Sequence, residues 1–286
     1  MPGSADELAK LLDLETLDLD LYRGTQPDTR LQRVFGGQVA AQALVAGART
    51  VEAPRTVHSL HSYFLRPGDP SVPIVYDVER MRDGRSFSAR RVAARQHGRH
   101  IYFMTVSFQV PEDGFEHQDQ MPEVPSPEDS FDVSELVRRR SPEEAEQWKA
   151  EWAALDMRAV GDSRPGGRIP ADDRPARARL WIRVSGRLAD DVLVHQAALT
   201  YASDLTLLGS SLVPHGIPIN SPKVQPASLD HSMWFHRPFR ADEWLLYDQV
   251  SPSATGARGL ALGRLFTQDG RLVVSVAQEG LIRPRD

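Results

Sequence analysis

Ser59-Leu60-His61-Ser62-Tyr63-Phe64-Leu65-Arg66-Pro67 and Ser228-Leu229-Asp230-His231-Ser232-Met233-Trp234-Phe235-His236-Arg237-Pro238 carry one pattern twice: a Ser-Leu opening, a mixed run with aromatics, and an Arg-Pro stop. Further pairs follow in the same order. Tyr76-Asp77-Val78 answers Tyr247-Asp248-Gln249-Val250, and Gln96-His97-Gly98-Arg99 answers Gln268-Asp269-Gly270-Arg271. The offsets of 169, 171 and 172 residues need only small gaps, so the matches are collinear. One repeat of this size marks a duplicated domain, because a solenoid needs three or more units.

Each copy also begins with an apolar helix. In the first, Val34-Phe35-Gly36-Gly37-Gln38 opens an Ala-rich segment that runs to Ala48. In the second, the segment is Val192 to Leu205, built mainly from Val, Leu, Ala, Thr and Tyr. A helix apolar nearly all round must be buried. Strand-like runs follow: 58–64, 74–78 and 101–108, then 180–184, 233–235, 244–250, 260–266 and 272–276. They are rich in β-branched and aromatic residues, and turn signals such as Asp83-Gly84 and His97-Gly98 separate those of the first copy. A sheet curling around one helix covers it. The expected class is therefore α+β, a double hot-dog in which two tandem helix-plus-antiparallel-sheet repeats pair their sheets.

Between the copies, residues 111–129 hold four Pro, seven acidic residues and no Lys or Arg, which reads as a boundary loop. Ser141, Pro142 and Glu144 then cap a helix whose inner face is expected to carry Trp148, Trp152 and Leu155. Residues 161–175 read as another loop. The expected organisation is an N-terminal repeat over 1–115, a linker with one helix over 116–175, and a C-terminal repeat over 176–286. A short helix opens the chain, with Ser4 and Glu7 as a capping box and Leu8, Leu11 and Leu12 on one face.

Composition excludes several function classes. The chain has 286 residues, 41% of them hydrophobic, and no apolar run long enough to cross a membrane as a helix. The acidic start, Asp6-Glu7, does not resemble a secretory leader, and Arg283-Pro284-Arg285-Asp286 is not a peroxisomal tail. A net charge of −5 argues against a general nucleic-acid binder. With no Cys, disulfides, thiolate nucleophiles and Cys-ligated metals are excluded, and a reducing cytoplasm is the expected compartment.

No Gly-x-Ser-x-Gly elbow, Walker loop or Gly-x-Gly-x-x-Gly is present. Asp230-His231-Ser232 is not a triad, because strand neighbours point to opposite faces; His231 and His236, five apart, do not form a metal pair. Arg80, Arg82, Arg85, Arg90, Arg91, Arg95 and Arg99 are either solvated strand faces or a cationic rim for a phosphorylated ligand. The Gly36-Gly37 helix start can hold an anion or a developing oxyanion. Asp204 stands out as a carboxylate on an apolar helix: either the helix has frayed and Asp204 faces water, or it is buried with a purpose. Matching Gln38 to Gln196 puts Ala46 opposite Asp204, so a chain with this carboxylate in use has one active site, not two.

Val34-Phe35-Gly36-Gly37-Gln38, Tyr201-Ala202-Ser203-Asp204-Leu205, the string Leu229 to Pro238, and Gln278-Glu279-Gly280 resemble the signatures of the acyl-CoA thioesterase II family. The resemblance runs from about residue 10 to the end, and Asp230-His231-Ser232-Met233-Trp234-Phe235-His236-Arg237-Pro238 is its most specific part. It implies a double hot-dog enzyme that hydrolyses fatty acyl-CoA to free acid and CoA, with no metal, no cofactor and no covalent intermediate. It also implies that Asp204, Ser228 and Gln278 hold the attacking water. The family more often has Thr at the middle position; Ser228 keeps the hydroxyl without the methyl that restricts its rotamer. The rival expectations are a hot-dog hydratase or dehydratase, which needs a catalytic His beside the carboxylate, and a non-catalytic acyl-CoA-binding protein. Acyl-CoA is the expected partner, with no nucleic acid and no membrane. Pairing of sheet edges further implies a homo-oligomer, dimer or tetramer.

Overall fold

The computed structural model describes residues 1–139, 141–164, 166–169 and 176–285. In chain order the elements are α1 (Ala5–Leu12), β1 (Glu15–Asp18), β2 (Leu21–Gly24), α2 (Gly36–Ala48), β3 (Thr56–Phe64), β4 (Ile74–Asp83), β5 (Phe87–Gln96) and β6 (Arg99–Gln109). Then come β7 (Phe131–Asp132), α3 (Val133–Arg138), α4 (Pro142–Trp152), β8 (Leu155–Asp162), β9 (Arg177–Val184) and α5 (Val192–Ser203). A 3-10 helix (Leu207–His215), β10 (Val224–Ser228), β11 (Asp230–Phe235), β12 (Leu245–Thr255), β13 (Arg258–Thr267) and β14 (Leu272–Pro284) complete the chain.

All strands join one 14-stranded sheet in the order β1-β2-β4-β5-β6-β3-β11-β14-β13-β12-β9-β8-β7, with β10 also on β14. The duplication is visible in that order. Outward from the centre, β3, β6, β5, β4 and β2 mirror β11, β14, β13, β12 and β9. The halves meet edge to edge where β3 and β11 pair antiparallel, His61 opposite Ser232 and Leu60 opposite Met233. Neither β3 nor β11 is left as an open edge there, which removes a template for aggregation.

The inner face of the sheet wraps α2 and α5. In α2 every residue from Gly37 to Gly47 is buried, and in α5 every residue from His195 to Ser203. The two helices pack against each other antiparallel, and glycine makes the approach possible. A Cβ on Gly37 would lie 2.2 Å from the Tyr201 carbonyl oxygen, and one on Gly36 would lie 2.5 Å from an Asp204 carboxylate oxygen. Phe35, the residue before α2, is wedged edge-on between Trp152 and Tyr201, with ring centroids 4.9 and 5.2 Å apart.

Some local expectations need correction. Ser4 accepts the Glu7 amide as expected, but the Glu7 carboxylate takes the Gly3 amide instead of that of Ser4. Ser141 caps α4 through the Glu144 amide. The segment expected as a linker with one helix contains two, α3 and α4, and also β8, which pairs with β9. Leu155 therefore belongs to β8, not to the inner face of α4. Its alternation with Met157 on the buried face of β8 explains the difference, because a period of two suits a strand. The boundary between 175 and 176 and seven of the fifteen residues of the loop expected over 161–175 lie at or within residues outside the description, and Gly161 and Asp162 belong to β8 instead. β14 continues to Pro284, well past the expected Val276, and this places Gln278 on a strand.

Candidate active site

Asp204 caps the C-terminus of α5, Ser228 ends β10, and Gln278 lies on β14. They are far apart in sequence, and the fold brings all three together. The Ser228 hydroxyl donates to Asp204 Oδ1 at 3.2 Å. Gln278 Nε2 donates to the same oxygen at 2.5 Å and to Ser228 Oγ at 3.0 Å. The triangle is closed: one carboxylate, one hydroxyl, one amide. Gln278 is buried, and its Oε1 has no hydrogen-bond partner in the protein among the described residues.

A further donor comes from the first half. The backbone N–H of Gly37 bonds to the Asp204 carboxylate. The anion held by the glycine-rich start of α2 is thus a side chain of the other repeat, set where the helix dipole favours negative charge. The helix has not frayed to expose this residue; Asp204 is only partly accessible, at the end of a buried helix. Burial raises its pKa from the ordinary carboxylate range to about 6, against the opposing hydrogen bonds from Gln278, Ser228 and Gly37. A carboxyl group poised near neutral pH suits a general base.

The supporting contacts involve residues that the sequence reading treated as ordinary. His231 is fully buried on the inner face of β11 and its Nε2 lies 2.8 Å from Ser203 Oγ. Burial drives its pKa down to about 4, so it stays neutral. Tyr247 donates to the Ser203 carbonyl at 3.1 Å, which fixes the last turn of α5 just before Asp204. Asp230 and Ser232 lie on the opposite face from His231, as strand alternation requires, so no relay runs through the three. No histidine hydrogen-bonds to Asp204 among the described residues. Gly280 is needed two residues beyond Gln278, because a Cβ there would sit 2.4 Å from Leu208 of the 3-10 helix.

The first repeat lacks the same equipment. Ala46, the counterpart of Asp204, is fully buried, and at the end of α2 the neighbouring Gly47 faces Val92, Val106 and Arg90. The 172-residue offset puts Val106 where the second half has Gln278. Arg90 fills this place, with its Nε 2.7 Å from Thr50 Oγ1 and its terminal nitrogen 2.7 Å from Asp83. Half of the rest of the arginine run is neutralised on strand faces, Arg80 by Asp20, Arg91 by Glu79 and Arg95 by Asp77, while Arg82, Arg85 and Arg99 meet no carboxylate among the described residues.

A cavity of about 350 Å³ opens beside the triangle, lined by Gly36, Phe64, Tyr102 and Ser228 among others. A larger one, about 530 Å³, lies between β8 and the 3-10 helix and touches none of the three residues.

Two helix-in-sheet units joined edge to edge, with a carboxylate–hydroxyl–amide cluster in the second, define a double hot-dog protein. Comparison with known proteins agrees. Residues 170–281 match the family profile described as acyl-CoA thioesterase, and residues 25–109 match that of the acyl-CoA thioesterase N-terminal domain. Acyl-CoA thioesterase 2 of Haemophilus influenzae is 41% identical over 283 residues, covering 99% of each chain. The crystal structure of acyl-CoA thioesterase II TesB2 from Mycobacterium marinum aligns with a TM-score of 0.84 at 46% identity, covering 98% of this chain and 99% of that one. A hot-dog protein of unknown function from Alicyclobacillus acidocaldarius shares the fold at a TM-score of 0.77 and 20% identity, over 98% of each chain. The chain belongs to the acyl-CoA thioesterase II family.

Proposed function

We propose that this protein hydrolyses fatty acyl-CoA to free fatty acid and CoA by direct attack of a water molecule held by Asp204, Ser228 and Gln278. The observation that carries the reading is the closed triangle around a carboxylate whose pKa stands at about 6, with the buried Gln278 Oε1 as a further acceptor beside it. Water donates one proton toward Asp204, and Ser228 and Gln278 fix its position. Its free lone pair then faces the thioester carbonyl. As the C–O bond forms, Asp204 takes the proton and the carbonyl becomes an oxyanion. Collapse expels the CoA thiolate, which needs little assistance because a thiolate is a good leaving group. General-base help of this kind is worth about 10²–10⁴-fold. Gly37 N–H is engaged with Asp204, so the N–H of Gly36, which lines the cavity, is the donor left at the start of α2 for the oxyanion. One such donor is worth about 10²–10³-fold.

The test is release of free CoA from palmitoyl-CoA, followed with a thiol reagent, in the native protein and in Asp204→Asn. The native protein releases CoA and the variant loses about two orders of magnitude or more. Turnover of the variant at the native rate overturns the assignment; a change in enoyl absorbance without CoA release marks a hydratase instead.

We further infer a homo-oligomer acting in the cytoplasm. No helix among the described residues is long and apolar enough to cross a membrane. On the sheet, Tyr63 of β3, Trp234 of β11 and Leu260 and Leu262 of β13 are exposed, and a second copy is the cover we infer for them. Light scattering that gives the mass of one chain would remove this part of the reading.

A further inference from the structure

The cavity that reaches Ser228 has mostly apolar walls, and among the described residues no acidic one lines it. Two cations do, Arg33 and Arg66, and both are exposed. The chain has 39 acidic residues against 34 basic ones. Arg80, Arg90, Arg91 and Arg95 each meet a carboxylate. Arg33 and Arg66 meet none among the described residues. Arg66 gives one donor to the His100 carbonyl at 2.7 Å, which orients its guanidinium and leaves the rest of the fork free. Two unneutralised guanidinium groups lining the same apolar cleft as Ser228 form a site for a molecule with an anionic head and an uncharged arm.

We propose that Arg33 and Arg66 bind the phosphates of the coenzyme A moiety and so select CoA thioesters over thioesters without a phosphorylated carrier. This rests on the hydrolytic reading above and adds the residues that recognise the carrier. A guanidinium is always charged and its planar fork matches phosphate oxygens. The carboxylate of the product acid has the same oxyanion chemistry, so a fatty acid is a separate arm of the test. The uncharged pantetheine arm spans the apolar walls and delivers the thioester to the triangle. The arginines thus act on recognition, not on the attack of water.

The experiment is calorimetric titration of the native protein, Arg33→Gln, Arg66→Gln and the double variant with free CoA, with pantetheine and with decanoate. CoA binding is expected to weaken about ten-fold per arginine removed, with a shallower salt dependence in the double variant. Pantetheine and decanoate binding are expected to stay as in the native protein. In parallel, the ratio of kcat/KM for decanoyl-CoA to that for decanoyl-pantetheine falls by a similar factor. Arg33 makes no hydrogen bond or ion pair among the described residues, so Arg33→Gln tests the proposal even if Arg66→Gln proves unstable in a melting curve. Unchanged CoA binding in Arg33→Gln and in the double variant overturns the proposal. So does equal weakening of CoA and pantetheine, or loss of decanoate binding alone. Failure of the native protein to release CoA would instead overturn the hydrolytic reading, while the titrations still judge the arginines.

Discussion

A carboxylate that must lose its proton near pH 6 carries two linked consequences at the level of single residues. The first is kinetic. Asp204 acts as a base only when ionised, so kcat/KM should fall about ten-fold per pH unit below about pH 6 and level off above it. Ser228 and Gln278 donate to the charged form and hold the pKa below what burial alone would give. Removing either donor, as in Ser228→Ala or Gln278→Ala, should move the onset of activity to higher pH, which a pH–rate profile measures. A profile that moves the other way, or not at all, contradicts this role. On the proposed role of the three residues in holding one water, Gln278→Ala added to Asp204→Asn should cost little more than Asp204→Asn alone. The second consequence concerns stability. The folded state holds the Asp204 proton more tightly than the unfolded chain, so ionising the group costs folding free energy above about pH 6. Asp204→Asn removes that cost. The variant should melt higher than the native protein at pH 7–8, by about 1–3 kcal/mol of stability at most. The gain should vanish as pH drops below 4, where the carboxyl group is protonated in both states. Thermal melts across pH decide this, and a variant less stable at pH 8 would show that Asp204 is not held at a cost.

Among the elements, the contact that matters most is the antiparallel pair α2 and α5. Gly37 lets the two backbones approach, and the same residue offers its N–H to Asp204. Gly37→Ala would drive a methyl group into the Tyr201 carbonyl, and backbone cannot swing aside as a side chain can. It should cost at least about 1–3 kcal/mol, as overpacking does, and should lower kcat even where the protein still folds. Gly280→Ala meets chiefly the flexible end of Leu208, with the Ala227 carbonyl oxygen farther off at 3.1 Å, and should be milder. Melting temperatures of the two variants, side by side, test the difference. The sequence made parts of this arrangement legible and hid others. The Gly-Gly start and the apolar bodies of both helices were readable, because burial leaves a compositional trace. The odd carboxylate on α5 was readable for the same reason, and Ser228 and Gln278 came through resemblance to a family. That the helix N-terminus of one repeat binds the carboxylate of the other was not readable, since it depends on how two helices cross. The neutralisation of Arg80, Arg91 and Arg95 depends on which strands become neighbours, and His231 needs the register of β11 before its inward direction means anything. β8 escaped notice because its short alternation directly follows a helical pattern.

At the scale of the whole molecule, the duplication settles the architecture while leaving the two halves unequal. The matched offsets foretold paired repeats, and the mirrored strand order meeting at β3 and β11 is their structural form. The site is nevertheless composite: its triangle belongs to the second repeat, but Gly36, Gly37 and the cavity walls Phe64 and Tyr102 come from the first. The second repeat expressed alone, residues 176–286, would contain Asp204, Ser228 and Gln278, yet it should be insoluble or inactive. Three losses combine. β11 would expose the edge that β3 covers, β9 would expose the edge that β8 covers, and α5 would lose the apolar face of α2 together with the Gly37 N–H. A longer piece, residues 116–286, restores β8 and repairs only the second of these. It should therefore gain solubility over 176–286 while staying inactive, and co-expression with residues 1–115 should restore activity. Expression yield, light scattering and CoA release from palmitoyl-CoA measure all three pieces. A soluble, active monomer from residues 176–286 would mean that the second repeat neither needs the shared sheet nor borrows its helix start from the first.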